Sequence, residues 1–211
     1  MKEVKVFVVG SATGYANFIE KKKLVNNIED ADIVLFTGGE DVDPALYGCE
    51  KHPTTCYNPR RDKTEKEVFD KIPADKLVVG ICRGSQFCCV MNGGLLVQNC
   101  SGHGIYGTHD ITNQSEVYQI TSTHHQMQYP YNLESKDYTV LFTSAHHLSF
   151  SGYEGDKINQ DLIMNYGEPE IVLYHKKDKP KCLAIQGHPE YMGPCGVVTK
   201  INQLINKYLN K

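Results

Sequence analysis

The stretch from Leu77 to Gly94, LVVGICRGSQFCCVMNGG, restricts the fold of this chain more than any other. It opens on an apolar run, the pattern of a strand buried on both faces. Gly80-Ile81-Cys82-Arg83-Gly84 then turns the chain sharply into a helix-like segment that ends at Gly93-Gly94. A buried strand that feeds a helix through two glycines forces the residue between them into a tight corner, the nucleophile-elbow arrangement, here with cysteine in place of serine. A thiol at such a corner sits at a helix N-terminus, where unpaired backbone N–H groups and the helix dipole favour the thiolate. Cys82 is therefore a candidate nucleophile. The alternative is a buried thiol that serves as a small apolar residue.

A second stretch bears on that choice. CLAIQGHPEYMG, near the C-terminus, is an apolar run followed by Gly187-His188-Pro189-Glu190. Residues two apart on an extended backbone point the same way, so His188 and Glu190 can face one another. A carboxylate beside an imidazole fixes its tautomer and stabilises the imidazolium, as a nucleophile–base–acid triad requires. An ordinary exit loop after a strand is the alternative for this motif alone.

Strands alternate with helices along the rest of the chain. Lys5–Val9, Asp32–Phe36, Leu77–Ile81, Val117–Thr121, Tyr138–Phe142, Leu162–Asn165, Ile171–Tyr174 and Leu183–Gln186 read as strands. Tyr15–Asn26 and Asp62–Lys71 read as helices, the first only weakly patterned. Val197, Val198, Ile201, Leu204, Ile205, Tyr208 and Leu209 recur at helical spacing, which predicts an amphipathic C-terminal helix against the sheet. The expected class is α/β, a mostly parallel central sheet with helices on both faces, formed as one domain over residues 1–211. Sites in such sheets gather at strand C-terminal ends, where Gly39, Cys82 and His188 all fall. Residues 43–61 form a long irregular insertion with prolines at 44, 53 and 59, a length that usually signals function.

Composition removes several classes. A net charge of −3, scattered along the chain, gives no footprint for nucleic acid or an anionic membrane. No apolar segment approaches the roughly 20 residues needed to span a bilayer. The N-terminal MKEVKVFVVG reads as a first strand rather than a signal peptide, which makes a cytoplasmic protein the expectation. The eight cysteines show no C-x-x-C pair and no regular spacing, so they read as scattered thiols rather than a disulfide framework or zinc site. His124-His125 and His146-His147 are unattractive as metal ligands because adjacent strand side chains point to opposite faces. His103 and His109 read as loop histidines, and no metal is expected.

The G-x-C-x-G elbow, Gln86 four residues after the cysteine and the late His-Pro-Glu resemble the class I glutamine amidotransferase superfamily, with its flavodoxin-like fold. Phe36-Thr37-Gly38-Gly39-Glu40-Asp41-Val42-Asp43-Pro44 with Tyr47-Gly48, and Arg61-Asp62 with Glu65, narrow the likeness to the peptidase C26 branch, typified by γ-glutamyl-γ-aminobutyrate hydrolase. The resemblance runs from about the second strand to Glu190. It implies that Gln86 contacts a glutamyl group, and that Thr123, His125 and Gln126 help to bind it. It also turns Gly38-Gly39 from a plain tight turn into an oxyanion-hole loop.

The expected chemistry is then specific. His188 takes the Cys82 proton and the thiolate attacks the γ-carbonyl. The backbone N–H groups of Arg83 and Gly39 receive the oxyanion. His188 protonates the leaving amine, a γ-glutamyl thioester forms, and water activated by His188 releases glutamate while Glu190 holds the ring. No metal or organic cofactor is required. The substrate is a γ-glutamyl amide or glutamine. A free-standing hydrolase is the leading reading; a glutaminase that passes ammonia to a separate synthetase chain is the second.

Overall fold

In the computed structural model, which describes residues 3–209, thirteen strands and four α-helices alternate. In chain order they are β1 (Val4–Val8), β2 (Lys22–Leu24), β3 (Ile33–Phe36), α1 (Pro59–Phe69), β4 (Leu77–Ile81), α2 (Arg83–Met91), β5 (Leu95–Val97), β6 (Asn99–Cys100), β7 (Gly104–Thr112), β8 (Val117–Thr123), β9 (Met127–Tyr129), β10 (Tyr138–Ser144), β11 (Tyr153–Glu154), α3 (Gln160–Tyr166), β12 (Pro169–Tyr174), β13 (Lys181–Ile185) and α4 (Gly196–Leu209).

Nine strands form one sheet in the order β2-β1-β3-β4-β13-β12-β10-β7-β8. From β2 to β13 neighbours run parallel. From β13 to β8 they run antiparallel. The α/β class expected from the sequence is the observed one. The parallel strands β3 and β4 are buried along their whole length, which is why they read as unbroken apolar runs.

Helices cover both faces. On one, Phe69 of α1 and Phe87 of α2 meet Phe36 of β3, with the Phe36 and Phe87 ring centroids 5.1 Å apart. On the other, Val197, Ile201, Leu204 and Ile205 of α4 pack on Val6, Leu35 and Leu183. Each such side chain contributes about 1.5–3 kcal/mol by leaving water. Helix α1 starts where Asn58 caps the Arg61 N–H and Pro59 occupies the first turn.

Three expectations need correction. Tyr15–Asn26 is not a helix: a 3-10 turn over Thr13–Phe18 leads into the parallel edge strand β2. Asn202 of α4 takes the backbone groups a helix would use, accepting from Glu20 N at 2.9 Å and donating to Phe18 O at 2.8 Å. Leu162–Asn165 lies in α3, capped by Asn159 and buried only at Ile163; a run of three apolar residues does not distinguish helix from strand. Of the two histidines read as loop residues, His103 does lie in the bend before β7, but His109 lies within β7; both are buried.

The insertion at 43–61 is ordered by side chains rather than by a ladder. Gln98 Oε1 accepts from His52 N at 2.9 Å and Thr55 Oγ1 at 3.0 Å, and Asp41 Oδ2 accepts from Cys56 N at 2.7 Å. No helix among the described residues is long and apolar enough to cross a membrane.

Candidate active site

Cys82 occupies the link between β4 and α2 at φ 51°, ψ −112°, a left-handed backbone that a side-chain-bearing residue rarely adopts. The flanking glycines explain how the corner closes. A Cβ on Gly80 would lie 2.3 Å from the Gly84 carbonyl oxygen, and one on Gly84 would lie 2.3 Å from that of Phe36. The corner is pinned on both sides: Cys82 N donates to Ile185 O at 2.8 Å, and Ser85 Oγ donates to Cys82 O at 2.6 Å.

The His188 turn leaves the next strand, β13. Gly187 permits the close approach, since a Cβ there would be 2.5 Å from Ile120. His188 N donates to Thr121 Oγ1 at 2.6 Å, and its Nδ1 lies 2.7 Å from Glu190 Oε1. That contact leaves Nε2 as the ring nitrogen open to another partner. Burial alone would push the imidazole pKa down, but Cys82 and Glu190 as hydrogen-bonding, negatively charged neighbours raise it to about 10. Two tyrosines enclose the ring, Tyr191 stacked at 4.9 Å and Tyr15 tilted at 6.0 Å. Sequence reading missed both, although Tyr191 directly follows Glu190.

The Gly38-Gly39 loop is held from behind. Arg61 Nη2 donates to the carbonyls of Thr37 at 3.2 Å and Gly38 at 3.0 Å, while its Nε pairs with Glu65 at 2.8 Å. Gly39 adopts φ +134°, and a Cβ would strike the Arg61 guanidinium at 2.3 Å. The Arg83 side chain turns into the protein and pairs with buried Asp62 and Glu65 of α1. Only its backbone N–H remains at the first turn of α2, beside Cys82. Arg61 therefore orders the Gly38-Gly39 loop, while Asp62 accepts from Asp43 N at 3.2 Å where the insertion begins.

A cavity of about 220 Å³ gathers Gly39, Cys82, Arg83, Gln86, Thr123, His125 and Gln126. Gln86 Nε2 donates to Gln126 O at 3.0 Å, and Gln126 Nε2 to Thr55 Oγ1 at 3.0 Å. The side-chain oxygens of both glutamines are buried without a protein partner among the described residues. His125 Nε2 lies 3.3 Å from Asp41 Oδ1, which raises its pKa. Glu40, Asp41 and Cys56 also line the cavity and were not anticipated. The acids follow Gly39 directly, a usable signal; Cys56, deep in the irregular insertion, carries none. A larger cavity of about 550 Å³ lies across the Gly38 loop, lined by Val9, Ser11, Tyr15 and Arg60, and reaches neither Cys82 nor His188. Of the two, the smaller one contains Cys82.

The chain is similar to proteins of a known family. Residues 8–190 match the peptidase C26 family. The chain is 30% identical over 177 residues to the glutamine amidotransferase-like protein YvdE of Lactococcus lactis, covering 80% of this chain and 70% of that one. The solved structure of a GMP synthase component from Thermoplasma acidophilum superposes with a TM-score of 0.61 at 15% identity, covering 100% of this chain and 96% of that one. A glutamine amidotransferase from Thermotoga maritima gives 0.55 at 14%, covering 100% and 84%. At those identities the two structures bear on the fold alone. With its family match running through both the elbow and the His-Pro-Glu turn, the chain belongs to the peptidase C26 branch of the class I glutamine amidotransferase superfamily and is an enzyme of that type.

Proposed function

We propose that this protein is a cysteine hydrolase of γ-glutamyl amide bonds that works through a γ-glutamyl thioester, with Cys82 as nucleophile, His188 as acid and base and Glu190 as the group that orients the imidazole. The observation that carries this reading is the His188 ring, held by Glu190 at Nδ1 and raised in basicity by the neighbouring Cys82. An imidazolium beside a thiolate is the resting ion pair such a nucleophile needs.

The thiolate attacks the γ-carbonyl to form the C–S bond, and the carbonyl oxygen becomes an oxyanion received by the N–H groups of Arg83 and Gly39. As the intermediate collapses, the C–N bond breaks and His188 donates its proton to the departing amine. Water then attacks the thioester with His188 as base, glutamate leaves, and the thiolate is restored. Loss of one oxyanion donor typically lowers turnover by about 100- to 1000-fold. Gln86, Thr123, His125 and Gln126 are proposed to hold the glutamyl head group, since all line the small cavity beside Cys82.

The test uses the purified chain alone, assayed on γ-glutamyl-γ-aminobutyrate and on glutamine, with a glutamine-analogue electrophile as trap. Turnover of the first substrate and an adduct on Cys82 support the reading. Glutaminase activity that appears only with a synthetase chain would favour the ammonia-delivering alternative, and failure to label Cys82 would overturn both.

A further inference from the structure

Behind the wall of the cleft that His124 helps to line, the antiparallel half of the sheet encloses a cluster of ionisable side chains for which the proposed reaction has no use. His103 precedes β7, His124 follows β8, and Glu168 and Glu170 lie at the start of β12. His103 and Glu170 are fully buried, and His124 is nearly so. One ligand atom each from His103, His124 and Glu170 falls within 4.8 Å of the others. His103 Nδ1 lies 3.4 Å and His124 Nε2 3.7 Å from the same oxygen, Glu170 Oε1. Ligands held at about 2.0–2.1 Å around a tetrahedral zinc ion stand roughly 3.4 Å apart, close to the two distances to Glu170, whereas the two imidazole nitrogens, within 4.8 Å of each other, would draw together on binding.

Counting protons gives the stronger argument. His124 Nδ1 lies 2.9 Å from the carbonyl of Gln126, which can only accept, so the ring proton is fixed there. The lone pair on Nε2 then faces a carboxylate oxygen. His103 lies between two carboxylates, with Nε2 3.2 Å from Glu168 Oε2 and Nδ1 toward Glu170. A neutral ring has one N–H for these two acceptors, so either the ring carries a second proton, which Glu168 and Glu170 favour against burial, or a cation stands in its place. Neither His103 nitrogen, nor His124 Nε2, nor Glu170 Oε2 makes a well-formed hydrogen bond. Glu168 is otherwise satisfied, by the backbone N–H groups of Leu148 and Ser149 and by the Tyr153 hydroxyl.

We propose that His103 Nδ1, His124 Nε2 and a carboxylate oxygen of Glu170 bind one divalent zinc-class ion in the core between β12 and the segments flanking β7 and β8. One such ion resolves every contact above with neutral rings. His103 donates from Nε2 to Glu168 and His124 from Nδ1 to Gln126, the outer partners that orient ligating histidines. Ser144 Oγ donates to Glu170 Oε1 at 3.3 Å, and His109 Nε2 lies 3.0 Å from the same oxygen without a well-formed hydrogen bond. The two negative charges of Glu168 and Glu170 match the two positive charges of the ion. The strand geometry that made His124-His125 unattractive as ligands does not apply, since both follow the end of β8 and both line the cavity; His125 Nε2 faces Asp41, while the side-chain partners of His124 come from β12 and its own loop. The Gln126 carbonyl accepts from both His124 and Gln86, so the ion would fix the wall of the catalytic cavity.

The test is metal analysis of the full chain purified without chelator, followed by zinc X-ray absorption on the loaded protein. The eight free cysteines are competing zinc ligands, and the spectrum separates them. One zinc per chain with only nitrogen and oxygen neighbours at about 2.0–2.1 Å supports the site. A sulfur shell at about 2.3 Å, or no stoichiometric uptake from micromolar zinc, overturns it. His124→Gln should lose the bound zinc while Cys82→Ser retains it. If the first variant does not fold, the absorption spectrum of the unaltered chain still decides.

Discussion

The two buried polar centres sit on differently built halves of the same sheet. On the parallel half, Cys82 is placed by backbone: a left-handed corner, two glycines that admit carbonyl oxygens at close range, and strand ends that stop at one edge. On the antiparallel half, His103, His109, His124, Glu168 and Glu170 are placed by side-chain pairing between strands distant along the chain. A backbone-built site tolerates a change of side chain and keeps its shape. A site built from buried charges loses structure with any one member, because the remaining charges stay desolvated.

The largest effect that separates these behaviours is at the nucleophile. Cys82→Ser should fold as the parent does, since serine fits the same corner, yet lose more than about 1000-fold in turnover on any γ-glutamyl amide. Steady-state kinetics and a thermal melt check both halves of the statement. Retained turnover would remove Cys82 from the chemistry.

Next in size is Arg83, a side chain of the charge-built kind inside the backbone-built half. It pairs with Asp62 and Glu65, all three buried, and burial already raises the pKa of Asp62 despite the guanidinium. Arg83→Met should destabilise the fold by about 3–5 kcal/mol, read by urea denaturation, because two carboxylates lose their counter-charge. A loss below about 1 kcal/mol would mean that water reaches the pair.

The same division explains what was legible in the sequence. The elbow could be read because its glycines, strand and helix are consecutive, and His188-Pro189-Glu190 because two residues on an extended backbone share a face. Gly39 was legible from its place at a strand C-terminal end, Gln86 chiefly through the family resemblance, and both line the cavity. The His/Glu cluster was not: His103, His124 and Glu170 meet through register in three separate segments, and each alone reads as an ordinary polar residue. Edge strand β2 was missed for a related reason. Asn202, some 180 residues away, bonds the backbone there, and no local pattern records it. The strand misread at Leu162–Asn165 failed on run length rather than on distance.

A smaller effect is expected at the orienting carboxylate. Glu190→Gln keeps the size and one hydrogen-bonding oxygen beside His188 Nδ1, so turnover should fall by at least about 10-fold but by less than in Cys82→Ser. Unchanged kinetics would show that the 2.7 Å contact does not orient the ring during the reaction.

The smallest and most diagnostic change is in the titration of His188. Its folded pKa of about 10 lies above the ordinary histidine value near 6.5, so protonation favours the folded state. The stability this gives is fully present below about pH 6.5 and is lost as the pH rises through about 10. Cys82 and Glu190 are the neighbours that raise it against burial. Cys82→Ser removes one of them, so the imidazole should titrate at lower pH and the alkaline edge of the stability profile should move down with it. Nitrogen-15 NMR of the imidazole, followed from pH 6 to 11 in both proteins, reads the shift directly. An identical titration in the two would mean that the sulfur does not act on the ring, and the corner at residue 82 would then be a structural device with no base beside it.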